Sequence, residues 1–366
     1  MKIALACSGI GFVKRGYESS VLELYAALKD KVPVTLYRGG AGDLGQRCPT
    51  IPCNSPVYTH FPFNRIGDYR RYAAQCELFA AGLAIRLFQQ PSAVVFTPDH
   101  VVAEWVTRWR RWLPGTPPVI FSNGAPFANE YCARFQFVHQ KSYEHFKPDQ
   151  APHTKMFFIP NGFDPKRLAP PADFDVAAGR RRWNLPADKT IVLCLSALNS
   201  HHKRVDWIID ELAPLRNSCF LLACGQDCGE TATLRARAET LGLSAKFMTA
   251  PYEQVPELIW SSDLMVLGSL WEGFPRVVAE AMGARKMIFV HPHQNGREIL
   301  GGDNLGLVDM SAHGCLADAI RRWLQSPKQF QSGVARNYER FLGNFSWPAV
   351  ADRYLAMFET VARLNA

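Results

Sequence analysis

The chain has no apolar run approaching the roughly 20 residues that a membrane-spanning helix needs. Its apolar start, Ile3 to Cys7, is too short for a secretory signal. It also has no stretch like an RNA-binding signature and no Cys/His finger, so its formal charge of +8 is not expected to serve nucleic acid. Its ten cysteines are scattered: Cys48/Cys53 and Cys224/Cys228 lack zinc-ribbon spacing, and Cys194 in IVLCLSA and Cys224 in FLLACG fall inside strand-like runs. They read as reduced core thiols, and a cytoplasmic location is expected.

What is present is enough apolar material for packed cores, 48% of the chain, spread over 366 residues. That length exceeds the size at which a single core stops growing, so two domains are expected. The positive charge suits an anionic substrate or an acidic membrane surface. Strands and helices alternate twice over. KIALAC (2 to 7) runs into SGIGFVKRG and a helix face marked by Val21, Leu24, Tyr25 and Leu28; VTLY (34 to 37), AVVF (93 to 96) and VIFS (119 to 122) follow as strands. The stretch KMFFIPNGFDPKRLAPPADFDVAAGRRRWNLP, rich in Pro, Gly and charge, reads as a domain connection. The pattern restarts with TIVLCLSAL (190 to 198), a helix from Val205, CFLLACG (219 to 225), a helix near Thr231 to Leu241, a strand around Phe247 and DLMVL (263 to 267). Such interleaving predicts an α/β fold of two Rossmann-like domains, each a parallel sheet covered on both faces, facing a central cleft.

Three places in that cleft can hold an anion. Gly9, Gly11 and Gly16 follow the first strand and open the first helix, where backbone amides approach a phosphate closely. Lys14 stands where GxGxxG would have its third glycine, and an ordinary strand-to-helix turn is the competing reading. In HHKRVDW (201 to 207), Lys203 and Arg204 lie at the carboxyl edge of the second sheet, where open α/β sheets bind ligands; phosphate binding is favoured over plain surface charge. The third place is WEGFPRVVAEAMG (271 to 283). Gly273 permits a tight turn, Pro275 is preset for a first helical position, and Val277, Val278, Ala281 and Met282 form a buried stripe. Glu272 and Glu280 are then separated by roughly 12 Å along the axis, too far for one metal or one proton transfer. They suit an elongated ligand with hydroxyls at both ends and an anion at the helix N-terminus, such as a nucleoside diphosphate sugar. The alternative is that Glu272 complements the helix dipole and Glu280 is solvated.

WEGFPRVVAEAMG resembles the E-x7-E signature of retaining glycosyltransferases of the GT-B fold, especially glycosyltransferase family 4. GIGFVKRGYES (9 to 19), IPNGFDPKRL (159 to 168), LPADKTIVLCLSAL (185 to 198), HKRVDWII (202 to 209), SSDLMVLGSLWEGFP (261 to 275), GREIL (296 to 300) and FSWPAVADRYLAMFE (345 to 359) match in order over nearly the full chain. The resemblance implies that Glu280 accepts hydrogen bonds from the nucleotide ribose and that Glu272 faces the transferred sugar. Gly273, Phe274, Pro275, Arg276 and Val277 would hold sugar and phosphate, while Lys203 neutralises the diphosphate. It also implies retention at the anomeric carbon, no metal and no cofactor beyond the co-substrate, a UDP- or GDP-linked sugar.

Two positions depart from the family pattern. Ser196-Ala197 stands where many relatives have Gly-Arg, so one phosphate cation is missing unless Arg204 or Arg276 replaces it. Ser122-Asn123-Gly124 stands where many carry a histidine; Asn123 can hydrogen-bond a sugar hydroxyl but cannot be a general base, and His100 in TPDHVV is the nearest alternative. The expected catalytic residues are therefore Glu272, Asn123 and His100. The expected donor-binding residues are Glu280, Lys203, Arg204, Gly273, Phe274, Pro275, Arg276, Val277, Gly11 and Gly16.

The expected domains are 1–168, joined by a returning helix at 347–366, and 175–346. In that helix Trp347, Val350, Tyr354, Met357 and Phe358 form one apolar stripe that needs a partner surface. The acceptor, a glycan, a lipid-linked molecule or a small molecule, should meet the aromatic and basic segments SPVYTHFPFNRIGDYRRY (55 to 72) and AEWVTRWRRW (103 to 112). In the latter, Trp105, Arg108, Trp109 and Trp112 line one helical face. That face either lies peripherally on the inner side of an anionic membrane or is partly buried with solvated arginines. The expected activity is glycosyl transfer in carbohydrate or glycan biosynthesis. The competing readings are a nucleotide-sugar 2-epimerase and a non-catalytic binder of a sugar nucleotide or acidic polymer.

Overall fold

The computed structural model describes residues 1–13, 16–60, 65–110, 112–123, 135–137 and 156–363. They fall into two compact units, Met1–Gly162 with Trp347–Ala366, and Phe163–Ser346.

In the first unit, β1 (Ile3–Cys7), β2 (Val34–Arg38), β3 (Gln46–Arg47), β4 (Val94–Thr97), β5 (Val119–Asn123), β6 (Phe135–Phe137) and β7 (Met156–Phe158) form one parallel sheet. Its order is β3-β2-β1-β4-β5-β6-β7, so the chain reverses direction of growth between β1 and β4. Strand residues alternate between faces, and both faces are buried. Ala4, Ala6 and Val95 pack under helices Asp68–Gln89 and His100–Trp109, with Phe79, Leu83, Val102 and Val106. Ile3, Leu5 and Phe96 pack on the other face, against Val21 and Leu24 of helix Gly16–Leu28.

That second face also receives the end of the chain, as expected. Helix Trp347–Arg363 buries Trp347, Val350, Tyr354, Met357, Phe358 and Val361 there. The rings of Tyr354 and Phe358 meet Phe96 edge-on at 6.1 and 5.7 Å, and Lys31 pairs with Asp352 at 2.8 Å.

In the second unit, β8 (Thr190–Leu195), β9 (Cys219–Cys224), β10 (Ala245–Met248), β11 (Leu264–Leu267) and β12 (Met287–Val290) form a parallel sheet of order β10-β9-β8-β11-β12. Growth reverses between β8 and β11, where Leu264 pairs with Val192. One face packs on helices Val205–Leu212 and Cys315–Gln325, the other on helices Val255–Ser261 and Arg276–Gly283. Both units are therefore Rossmann-like, as the alternating pattern predicts.

Two local expectations change. The start of the presumed connection, Met156–Phe158, is a strand of the first sheet, because β6 offers it a pairing edge. Pro275 is the cap of its helix and not its first turn: its ψ of 85° is non-helical, and the helix runs from Arg276 to Gly283. Only the second half of the Glu272-to-Glu280 interval is helical, so the axial estimate of their separation does not apply.

Candidate functional site

The crevice at the carboxyl ends of β8 and β11 is built by two loops. After β8, the Asn199 side chain accepts from the amides of His202 and Lys203 at 3.1 and 2.9 Å and winds the loop tightly. Arg204 then takes a left-handed conformation, φ 52°, before helix Val205–Leu212. The turn aims Lys203 across the switch point at the loop after β11, where Lys203 Nζ donates to Glu272 Oε1. Ser269 Oγ donates to the same oxygen at 2.5 Å, and His202 Nε2 stands 3.7 Å from it. His202 also stacks on the largely exposed Trp271 at 4.7 Å. From helix Gln294–Leu300, Asn295 Nδ2 donates to the carbonyls of Glu272 and Gly273 at 2.5 and 2.6 Å, pinning the turn.

The remaining donor-side candidates divide by what their side chains touch. Arg204 Nη1 donates to the carbonyls of Gly268 and Met310 at 3.2 and 2.8 Å, and its guanidinium lies over Trp207, so it clamps the loop. Arg276 lies over the Phe163 ring at 4.4 Å and 3.9 Å from Glu280, which is buried at 7% exposure. Phe274 and Val277 send their side chains into the core, Phe274 stacking on Phe163 at 6.3 Å.

At the corresponding crevice of the first unit, between β1 and β4, Gly11 has φ +90°, and a Cβ there would lie 2.4 Å from the Ala41 carbonyl oxygen. Its glycine is required by the approach of two loops, and Gly40 N donates to Ile10 O at 2.9 Å beside it. Gly16 opens the first helix. Asp99 Oδ2 accepts from Ser8 N at 2.7 Å and Oδ1 from the Tyr72 hydroxyl at 3.0 Å. Burial pushes the Asp99 carboxyl above its ordinary range. His100 lies among Tyr69, Tyr72 and Phe121, with its Nε2 3.3 Å from the Tyr69 hydroxyl; burial lowers its pKa, so the ring is neutral near pH 7. Asn123 closes β5, and its side chain, like Gly124 after it, lies outside the described residues. The helix expected through Trp112 ends at Trp109: Trp105 and Trp109 pack on the core, and Trp112 beyond them is 81% exposed.

Sequence reasoning brought forward Lys203 and Glu272 separately and missed the groups that hold them: Asn199, Ser269, His202 and Asn295. The signal for them is position alone, since each lies within a few residues of a strand's carboxyl end. Among the described residues no group of three or more His, Cys, Asp or Glu side chains is arranged to hold a metal ion, and no helix is long and apolar enough to cross a membrane. A cavity of about 540 Å³ lined by Asp263, Arg285, Trp323 and Phe330 lies at the amino ends of β11 and β12, the edge opposite this chemistry.

Residues 175–340, nearly the whole second unit, match the family model described as Glycosyl transferases group 1. Two solved structures share the fold of the full chain. Sucrose-phosphate synthase from Thermosynechococcus elongatus aligns with a TM-score of 0.80 at 16% identity, covering 100% of both chains. HepE from Anabaena, solved with UDP and glucose, aligns with a TM-score of 0.78 at 16% identity, covering 98% of this chain and 100% of that one. Mannosylfructose-phosphate synthase from Agrobacterium fabrum is 25% identical over 229 residues, 55% of this chain and 47% of that protein. The chain thus matches about half the length of that curated relative. Residues 175–340 thus carry the match to the group 1 glycosyl transferases, and the full chain shares the fold of those solved structures.

Proposed function

We propose that the chain is a retaining glycosyltransferase that takes a sugar from a UDP- or GDP-linked donor and passes it to an acceptor hydroxyl without a metal ion. The observation that carries this reading is the meeting of Lys203 and Glu272 at the switch point of the second sheet, the edge where open parallel sheets bind ligands. A lysine has three N–H donors. One keeps Glu272 while another reaches the donor's diphosphate and offsets the charge that builds as it leaves. Glu272 then accepts from a hydroxyl of the transferred sugar, and the buried Glu280 from the ribose. The bond from the anomeric carbon to phosphate oxygen breaks as the acceptor oxygen bonds that carbon. The acceptor proton passes to the leaving phosphate oxygen on the same face, which preserves the configuration. Arg204 holds the loop, and the backbone from Gly273 to Val277 lines the donor. Asn123 and His100 serve the acceptor, a glycan, lipid-linked or small-molecule hydroxyl.

The HepE structures, solved with UDP and glucose and with UDP-glucose, support this donor class. The family match favours neither the 2-epimerase nor the non-catalytic binder. Peripheral attachment to an anionic membrane through the exposed Trp112 belongs to the same proposal; equal sedimentation with anionic and neutral vesicles would refute that part.

The test separates the two acids. Glu280→Gln should weaken binding of the bare nucleoside diphosphate and of the donor alike, by roughly 10-fold to 100-fold, the range for a hydrogen bond to a charged group. Glu272→Gln should bind the bare nucleotide nearly as the parent does yet lose turnover, because sugar contacts that tighten in the transition state act on rate. Calorimetry and steady-state kinetics decide it. Equal losses of nucleotide affinity in both variants, or none in either, sink the reading.

A further inference from the structure

Among the described residues, three polar atoms around the Glu272 turn have no protein partner. Every hydrogen bond to the Glu272 carboxylate from the described residues falls on Oε1, which leaves Oε2 unmatched. Asn295 spends its Nδ2 on the Glu272 and Gly273 carbonyls, while its Oδ1 is buried without a partner. His293, two residues earlier, is the cap of helix Gln294–Leu300: its Nδ1 accepts from the Gly296 amide at 3.0 Å, and its Nε2 is buried without a partner. Because Nδ1 accepts, the ring proton sits on Nε2, so the unmatched atom is a donor. The ring is close enough to Glu272 and Lys203 to feel both charges, and burial brings its pKa down to about 4, so it stays neutral in ordinary use.

Buried polar groups in native proteins are matched, and an exception calls for a missing partner. Two atoms here are such exceptions, the donor His293 Nε2–H and the acceptor Asn295 Oδ1; Glu272 Oε2, which is not cut off from solvent, is a second acceptor. A phosphate oxygen accepts only, so it would satisfy the histidine and neither acceptor. A hydroxyl donates and accepts at once.

Building on the glycosyl-transfer reading above, we propose that His293 is a specificity residue that reads a hydroxyl of the transferred sugar. Its Nε2–H donates to the hydroxyl oxygen, and the hydroxyl proton goes to Glu272 Oε2 or Asn295 Oδ1. The helix cap fixes the tautomer, and the Asn295 bonds fix the turn that carries the acid. Removing the Nε2–H leaves nucleotide binding intact and lowers affinity for the sugar-bearing donor.

Two variants separate this role from capping. His293→Asn places an amide oxygen where Nδ1 was and keeps the cap, since Asn is a favoured capping residue, but it cannot reach the Nε2 position. His293→Gln reaches that position with an N–H. Calorimetry would use UDP and UDP-glucose, with GDP and GDP-mannose as the second pair. The expected result is that His293→Asn binds the bare nucleotide within about 2-fold of the parent but the sugar nucleotide about 5-fold to 20-fold more weakly, and that His293→Gln recovers most of that loss. The proposal is overturned if His293→Asn binds the sugar nucleotide as the parent does. It is also overturned if both ligands weaken equally, or if Gln does no better than Asn. A parent chain that binds neither pair overturns the glycosyl-transfer reading and this inference with it, an outcome distinct from all the others.

Discussion

At the switch point of the first sheet Asp99 has both oxygens occupied, one by the Ser8 amide and one by the Tyr72 hydroxyl, and Gln75 bonds Ser8 Oγ behind them. At the switch point of the second sheet Glu272 has one oxygen crowded by Lys203 and Ser269, and the other has no protein partner among the described residues. Both acids sit at the carboxyl edge of a parallel sheet in a Rossmann-like unit, so topology does not distinguish them; their neighbours do. Asp99 accepts from an amide and a phenol hydroxyl, and burial favours its protonated form. Glu272 faces a lysine ammonium that compensates its charge. The first acid therefore ties two loops together, and the second is left with a valence to use. A carboxylate at a switch point marks chemistry only where its protein neighbours leave it incompletely satisfied.

The largest expected effect concerns how each unit closes its core. The second unit is one continuous stretch, 163 to 346, whereas the first borrows helix Trp347–Arg363 from the far end of the chain. Deleting residues 347–366 should unfold the first unit while the second keeps its own transition, because Phe358→Ala alone removes a fully buried ring and costs about 3–5 kcal/mol. Calorimetry of the truncated chain should lose one of two transitions. A truncated chain that melts and turns over like the parent would show that the helix contributes nothing.

The parts of this fold that were legible are those that bury both faces. IALAC, TIVLCL, CFLLAC and LMVL are short apolar runs whose identity as parallel strands needs no partner to be recognised. β3 is the two polar residues Gln46–Arg47 and becomes a strand only because Tyr37 and Arg38 offer it an edge. β6 and β7 are three residues each and depend on one another in the same way. Within the site, Lys203 and Glu272 could be chosen singly from chemistry and position, but their ion pair spans loops from two strands. The contacts of Arg204 were not legible for a physical reason: a left-handed backbone turns its guanidinium toward the carbonyls of Gly268 and Met310, which lie far along the chain. His293 and Asn295 carry no pattern at all, since what marks them is an unmatched atom, a property of packing.

Intermediate effects should fall on opposite observables at the two edges. Asp99→Ala strands the Ser8 amide and the Tyr72 hydroxyl, and should cost about 2–6 kcal/mol of first-unit stability, at about 1–3 kcal/mol for each buried group left unpaired. Glu272→Gln keeps one acceptor oxygen for Lys203 and Ser269 and should change stability by about 1 kcal/mol or less, with turnover lost. Denaturant titration beside activity measurements tests the contrast; a stability loss as large for Glu272→Gln as for Asp99→Ala would erase it. Gly11→Ala should also act on stability, by about 2–4 kcal/mol, since it combines an unfavourable backbone angle with a collision against Gly40 and Ala41.

The smallest effect is a difference in the sign of pH dependence between the edges. The folded-state pKa of Asp99 is raised, so above the unfolded carboxyl value near 3.9 the native state binds more protons than the unfolded one, and this group's contribution falls as pH rises. The folded-state pKa of His293 is lowered to about 4 from 6.5, so between those values the unfolded state binds more protons, and its contribution rises with pH. Protonating Nδ1 would also break the cap on Gly296, which acts in the same direction. His100, whose pKa burial also lowers, adds a rising part to the first unit, so the comparison has to be made by difference. Melting temperatures between pH 4 and 6.5 should therefore show a parent-minus-variant difference that falls with pH for Asp99→Asn and climbs with pH for His293→Asn. If both differences run the same way, the two switch points do not differ in the electrostatic sense argued from Asp99 and Glu272.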